Sequence, residues 1–263
     1  MSQVSRLLPL GILCAGLSVA SIQAQIQAQS TPGRTPVLVE LFTSEGCSSC
    51  PPADALLAKL QTLHTPSGQP IVVLSEHVTY WNHDGWVDPF SDDTYTQRQA
   101  AYVDRLHAKE SYTPQAVVNG NTQVLGSDGR AIMQAVNAQK TDATLKLQIA
   151  KAVYDGGKIS LTYSVDGPVP SDGGDLYAAI ADDTETSNVA RGENAGKTVS
   201  HVAVVRSLTH IGKLKPGAAA TVKLSAPKPK DPANAGQHVV LFAQAKGQGP
   251  VWDIVTADVP PAQ

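Results

Sequence analysis

Val39-Glu40-Leu41-Phe42-Thr43-Ser44-Glu45-Gly46-Cys47-Ser48-Ser49-Cys50-Pro51-Pro52 decides the reading of the fold. The run from Val37 to Phe42 is almost continuously apolar and of strand length, which fits a strand buried on both faces. After the cysteines, Ala53, Leu56, Leu57, Leu60 and Leu63 recur at helical spacing. Pro51 and Pro52 are tolerated only in the first turn of that helix, so the helix opens at the cysteines. A helix start offers unpaired N–H groups and the positive end of a dipole, both of which favour a thiolate. Such a setting lowers a thiol pKa and makes Cys47 a nucleophile near neutral pH. Cys50, three residues on, is within reach to resolve a mixed disulfide formed on Cys47. Cys47 is expected at the surface and Cys50 deeper.

Working outward, Thr65-Pro66-Ser67-Gly68 breaks the chain and Ile71 to Leu74 forms a second buried strand. An aromatic-rich segment, His77 to Phe90, precedes a helix on which Tyr95, Tyr102, Val103 and Leu106 share a face. Ala116 to Val118, Asn119-Gly120 and Thr122 to Leu125 spell a hairpin, since both residues of a tight turn need positive φ. Ile132, Met133 and Val136 mark a closing helix. The order strand, helix, strand, helix, strand, strand, helix predicts an α/β thioredoxin-like domain over residues 36–140, with extra chain ahead of its second helix. From Thr144 the texture changes to seven candidate strands, separated by turns such as Asp155-Gly156-Gly157 and Asp172-Gly173-Gly174. That spacing predicts a mainly antiparallel β-sandwich-like domain over 145–263.

The 263 residues carry a formal charge of −3, and the scattered lysines and arginines exclude a field for nucleic acid. Arg6 followed by the apolar stretch Leu7 to Ala20 reads as an export signal, placing a cleaved segment at 1–24 and a polar linker at 25–35. A lipoprotein reading through Cys14 is weaker, because Gly11-Ile12-Leu13 leads in poorly. Cleavage removes one of the three cysteines and leaves Cys47 and Cys50 as a single pair. The expected compartment is the bacterial periplasm or the exterior, with no stable membrane insertion after cleavage. An exported chain without further cysteines uses its thiols as that one pair.

Other readings of the pair stay open. Zinc would need ligands beyond one C-x-x-C, and His64, His77, His83 and His107 would have to supply them. A structural disulfide closing so short a loop stabilises by only about 2 kcal/mol, which favours a redox role over a staple. Soft thiolates also suit Cu(I), so copper handling is an alternative, as is a non-catalytic binding module. No metal and no organic cofactor is expected in the redox reading. Trp81 and Trp86, with Tyr80, are candidate substrate contacts, against the plainer reading that they cover the helix layer. His77 and His83 read as packed or solvated rather than functional. Arg191-Gly192-Glu193-Asn194 reads as a charged turn, or as a loop reaching the first domain or a partner. Glu40, in a buried strand, must be paired or lie at the strand's edge.

The signature from Val39 to Pro52 resembles that of a largely uncharacterised family of secreted bacterial thioredoxin-like proteins. Further matches are Tyr80-Trp81-Asn82, Gly85-Trp86-Val87-Asp88, Arg98-Gln99 with Tyr102, Thr113-Pro114-Gln115 and Arg191-Gly192-Glu193-Asn194. The resemblance covers nearly all of the mature chain and implies a fold more firmly than an activity. From the wider superfamily it implies Cys47 as nucleophile, Cys50 as resolving thiol, and Pro114 as a cis-proline that lets the Thr113 backbone pair with an extended substrate. The implied partners are exported proteins with thiols or disulfides and a redox partner protein. Gly46 before the first cysteine, and Ser48-Ser49 between the two, depart from the thioredoxin pattern at positions that tune the thiolate.

Overall fold

The computed structural model describes residues 35–83, 85–139, 144–155, 157–227 and 236–260. The expected signal segment and nearly all of the linker lie outside the described residues, as do residues 140–143 at the expected domain boundary.

The chain opens with β1 (Val37–Thr43), buried along its whole length. It pairs in parallel with β2 (Ile71–His77) and antiparallel with β3 (Gln115–Val118). β3 turns through Asn119 and Gly120, at φ 51° and 61°, into β4 (Thr122–Leu125), the hairpin expected from Asn-Gly. Helix α1 (Pro51–Leu60) links β1 to β2, and a short 3-10 turn (Thr79–Trp81) precedes α2 (Asp93–Arg105). α3 (Gly129–Asn137) follows β4. The side chain of Asp92 accepts a hydrogen bond from the Thr94 amide, and that of Asp128 from the Ala131 amide; each satisfies a donor that a helix start would leave unpaired.

The later strands are β5 (Lys146–Asp155), β6 (Lys158–Asp166), β7 (Gly174–Asn188), β8 (Thr198–Lys213), β9 (Gly217–Ser225), β10 (Gln237–Ala245) and β11 (Val251–Val259). Four of them continue the first sheet, giving eight strands in the order β11-β10-β7-β8-β2-β1-β3-β4. β5, β6 and β9 form a second, three-stranded sheet. Alternate residues of the shared strands point to opposite faces. Ala178, Ile180, Val239 and Leu241 meet Leu147, Ile149, Leu161 and Leu224 of the small sheet. Ala179, Ala181, Val240 and Phe242 join the core under the helices, with Leu38, Leu57 and Ile132. Strands buried on both faces carry no polar alternation, which is why these runs are apolar throughout.

This architecture corrects the expected fold class. Among the described residues the protein is mostly β, 47% strand and 17% helix, with three α-helices around one large mixed sheet rather than an α/β thioredoxin-like domain beside a separate sandwich. The reason lies at β2. Left as a sheet edge, it would present a row of unpaired backbone groups; instead β8 runs parallel to it, with Ser75 opposite Val204. Tyr95 on α2 donates to the Val205 carbonyl at 2.8 Å, fastening the helix layer to β8. The hairpin turn docks likewise, with Asn119 and Val251 exchanging backbone and side-chain hydrogen bonds near 3.0 Å.

Candidate functional site

The chain leaves β1 at Thr43, turns through Ser44 to Ser49 and enters α1 at Pro51, with Cys50 as the residue capping the helix. The Cys50 carbonyl accepts from the amides of Ala53 (2.8 Å) and Asp54 (3.1 Å), so its backbone is committed to the first helical turn. Cys47 lies in the turn before it, donating its amide to the Ser44 carbonyl. The two sulfurs form a disulfide. A side chain at Gly46 would lie 3.0 Å from Cβ of Trp81, so glycine is what lets the Trp81 segment pack against the turn.

Ser48 and Ser49 are exposed, but Cys47 and Cys50 are both 0% exposed, which corrects the expectation that Cys47 is open to solvent. The cover comes from the other half of the chain. β7 and β8 form a ribbon whose connecting loop, residues 189–197, lies over the cysteine turn. The buried Asn194 donates through Nδ2 to the Glu45 carbonyl (2.8 Å) and to the Cys47 carbonyl (2.9 Å). Its Oδ1 accepts from Lys197 Nζ at 2.9 Å, which leaves the amide fully used. Beside it, a Glu193 carboxylate oxygen accepts the Ser48 amide at 3.0 Å. Arg191-Gly192-Glu193-Asn194 therefore reaches across the molecule to the cysteines.

Behind the turn is a buried polar cluster that the sequence reading did not find. His201 on β8 stands 3.6 Å from Glu45 and 3.6 Å from Asp54. Burial opposes its charge, but the flanking carboxylates of Asp54 and Glu45 prevail and push its pKa up to about 10. Thr43 donates to the other Asp54 oxygen at 2.9 Å, and Trp86 Nε1 donates to Glu45 at 2.8 Å. Asp88 accepts the Glu45 amide and pairs with His77 Nδ1, each at 2.8 Å. Burial raises the Asp88 pKa, but the pull of His77 and these hydrogen bonds outweigh it and hold the carboxyl at about 2. The His77 and His201 rings meet edge to face, 4.7 Å apart.

Of the residues singled out from sequence, the Thr113–Pro114 bond is cis, as expected, and Trp81 Nε1 donates to Thr113 Oγ1 at 2.7 Å. Trp86 is tied to the cysteine turn through Glu45, and both tryptophans are partly exposed. His77 is a packed residue of the buried cluster and His83 lies on the surface. Among the described residues no three His, Cys, Asp or Glu side chains converge as a metal site. Asp54 carried a faint signal, one helical turn beyond Cys50; His201 carried none. A separate cleft of about 540 Å³ lies at the opposite end of β1, rimmed by Asn119, Gln139, Pro168, Pro250 and Trp252, and among the described residues no ionisable one lines it.

The sequence matches, over residues 38–244, a family described as protein of unknown function (DUF1223). No curated protein matches. Among solved structures, a protein from Agrobacterium tumefaciens is similar at 27% identity and a TM-score of 0.61, over 86% of this chain and 96% of that one. HBP35 of Porphyromonas gingivalis is similar at 15% identity and a TM-score of 0.62, over 88% of this chain and 77% of that one, a likeness of fold alone. The family match runs from β1 through the cysteine turn and its covering loop into β10, and on that extent the chain belongs to the DUF1223 family.

Proposed function

We propose that this protein is an exported thiol–disulfide oxidoreductase whose Cys47–Cys50 pair exchanges electrons with thiols or disulfides of exported proteins, supplied by a redox partner protein. The observation that carries this reading is the placement of the pair: a disulfide set between the end of a buried strand and the start of a helix, with Trp81 packed on the turn and bonded to Thr113, whose bond to Pro114 is cis. Cys47, in the turn ahead of the helix, would supply the attacking thiolate, and Cys50, held by the helix start, would close on it. The local constellation, rather than the overall architecture, supports kinship with thioredoxin-like chemistry. The apolar stretch Leu7 to Ala20 supports export to the periplasm or beyond. Among the described residues no helix is long and apolar enough to cross a membrane.

One observation favours a second reading. Complete burial of both sulfurs suits a locked structural bridge. Insulin reduction separates the two. With dithiothreitol as electron donor, the redox reading expects the mature chain to accelerate insulin reduction, and the double Cys47→Ser, Cys50→Ser variant to lose the acceleration. A chain that gives no acceleration, and whose own disulfide survives excess dithiothreitol while folded, is a stapled binding module and not an enzyme.

A further inference from the structure

The covering loop does more than exclude water. Stabilising the thiolate of a reduced pair makes that pair an oxidant, and destabilising it leaves the disulfide as the favoured form and the dithiol as a reductant. The N–H groups between the cysteines are the natural partners of a Cys47 thiolate. Here the Cys50 amide is already given to the Cys47 carbonyl at 3.2 Å, and the Ser48 amide to Glu193 at 3.0 Å. The exposed Glu193 carboxylate thus takes up a donor that the thiolate could otherwise use. Asn194, buried and bonded to the carbonyls on either side of Gly46, fixes the loop so that Glu193 stays there.

We infer that Glu193, carried by the loop between β7 and β8, sets the Cys47–Cys50 pair towards the disulfide, so that the dithiol form runs as a reductant of disulfides in exported proteins. This rests on the redox reading above and gives it a direction. Glu193 is a positioning residue: it acts on Cys47 through the Ser48 amide. Other charges bear on the site as well. Behind the turn, Glu45 and Asp54 share the single cation His201. On the loop, Lys197 keeps its charge while it donates to Asn194 and attracts Glu193, which offsets part of the carboxylate's effect, and Arg191 is exposed, as Glu193 is. The carboxyl of Glu193 is itself held below its ordinary value by its hydrogen bonding to Ser48, so it is ionised when the dithiol works.

The reaction requires the loop over the buried sulfurs to open; Cys47 then loses its proton to solvent and its thiolate attacks one sulfur of the substrate disulfide. The first substrate thiolate leaves and takes up a proton. Cys50 then loses its proton and attacks Cys47, forming the Cys47–Cys50 bond, and the second substrate thiolate leaves and is protonated. Two electrons pass from the protein pair to one substrate disulfide, and a dithiol donor must return them for the next cycle.

The test is the equilibrium of the folded mature chain with reduced and oxidised glutathione, together with the pH profile of Cys47 alkylation. Removing both the carboxylate and the acceptor, Glu193→Ala should move the equilibrium towards the dithiol about tenfold, or ~30 mV, and shift the alkylation profile to lower pH. Glu193→Gln keeps an acceptor for Ser48 and should move both by less, in the same direction. Asp258→Asn, an exposed charge on β11, controls for net charge and should move neither. A Glu193→Ala equilibrium equal to wild type, or a shift matched by Asp258→Asn, overturns the role of Glu193 while the redox reading stands. A wild-type disulfide that neither reduces nor reforms in the folded chain overturns the redox reading itself, and the inference with it.

Discussion

Asn194 and His201 hold the cysteine turn from two sides, and each makes a separate prediction. Asn194→Ala leaves the buried Glu45 and Cys47 carbonyls without their side-chain donor, at an expected cost of about 2 kcal/mol. Urea unfolding should register that loss, and dithiothreitol should reduce the folded variant faster than wild type because the loop opens more often. His201 governs the alkaline limb. Its folded pKa, about 10, is raised above the ordinary 6.5, so its contribution is complete below pH 6.5 and is lost as pH rises through about 10. Over that window stability should fall by at most about 1.4 kcal/mol per pH unit, and His201→Gln should flatten the fall. Asp88 works in the other direction: lowered to about 2, it stabilises above its ordinary 3.8 and that contribution is lost as pH falls through about 2. Urea midpoints across pH check both limbs. Neither His201 nor Asp88 was legible as a site residue, because their partners lie across the fold and no spacing in the chain records that.

At the scale of elements, β1, β2 and α2 meet around a buried ionic group. Arg98 on α2 donates Nε to Glu40 at 2.5 Å and reaches Gln244 of β10 at 3.2 Å, while Tyr102 donates to Glu40 at 2.6 Å. The pairing expected of Glu40 is met here. Glu76 on β2 has no such partner; Arg98 Nε stands 3.8 Å away. Burial, then repulsion from Glu40, raise its pKa well above 4.5, so its ionisation is a cost that begins above that pH and grows until the folded pKa is reached. Glu76→Gln should therefore be neutral or stabilising by about 1 kcal/mol at neutral pH, with the difference vanishing below pH 4.5. Thermal melts at the two pH values decide it. The elements themselves were legible: the apolar runs that became β1, β2, β7 and β10, the Asn119-Gly120 turn and the proline-led start of α1 all carry local signals. β7 and β8 run longer than their apolar cores, because polar residues such as Thr184 to Asn188 stay paired as they carry the ribbon out to the cysteines.

At the scale of the molecule, the sequence misled in one respect. Alternation and run length report how a strand is buried but not which strand lies beside it, so nothing marked β8 as the neighbour of β2. The consequence is a shared core: residues from β7, β8, β10 and β11 pack with those of β1, β2, α1 and α3. Proteolysis should cut preferentially between Lys140 and Leu145, where the texture of the chain changes, yet the two fragments should stay together. Size-exclusion chromatography of the nicked protein should give one peak at the mass of the intact chain, and calorimetry one cooperative transition. Fragments that separate without denaturant would show two independent cores.

Trapping tests the redox account most directly. Cys47 lies in the turn with exposed Ser48 and Ser49 beside it, its sulfur 3.4 Å from Ser49 Oγ, whereas Cys50 is bound into the helix start. Expressed as the full chain and run on non-reducing gels, Cys50→Ser should accumulate covalent adducts with client proteins, since a mixed disulfide on Cys47 has nothing to resolve it. Cys47→Ser should accumulate few. Equal trapping by both variants, or none by either, would contradict the assignment of Cys47 as the attacking thiol of a working redox pair.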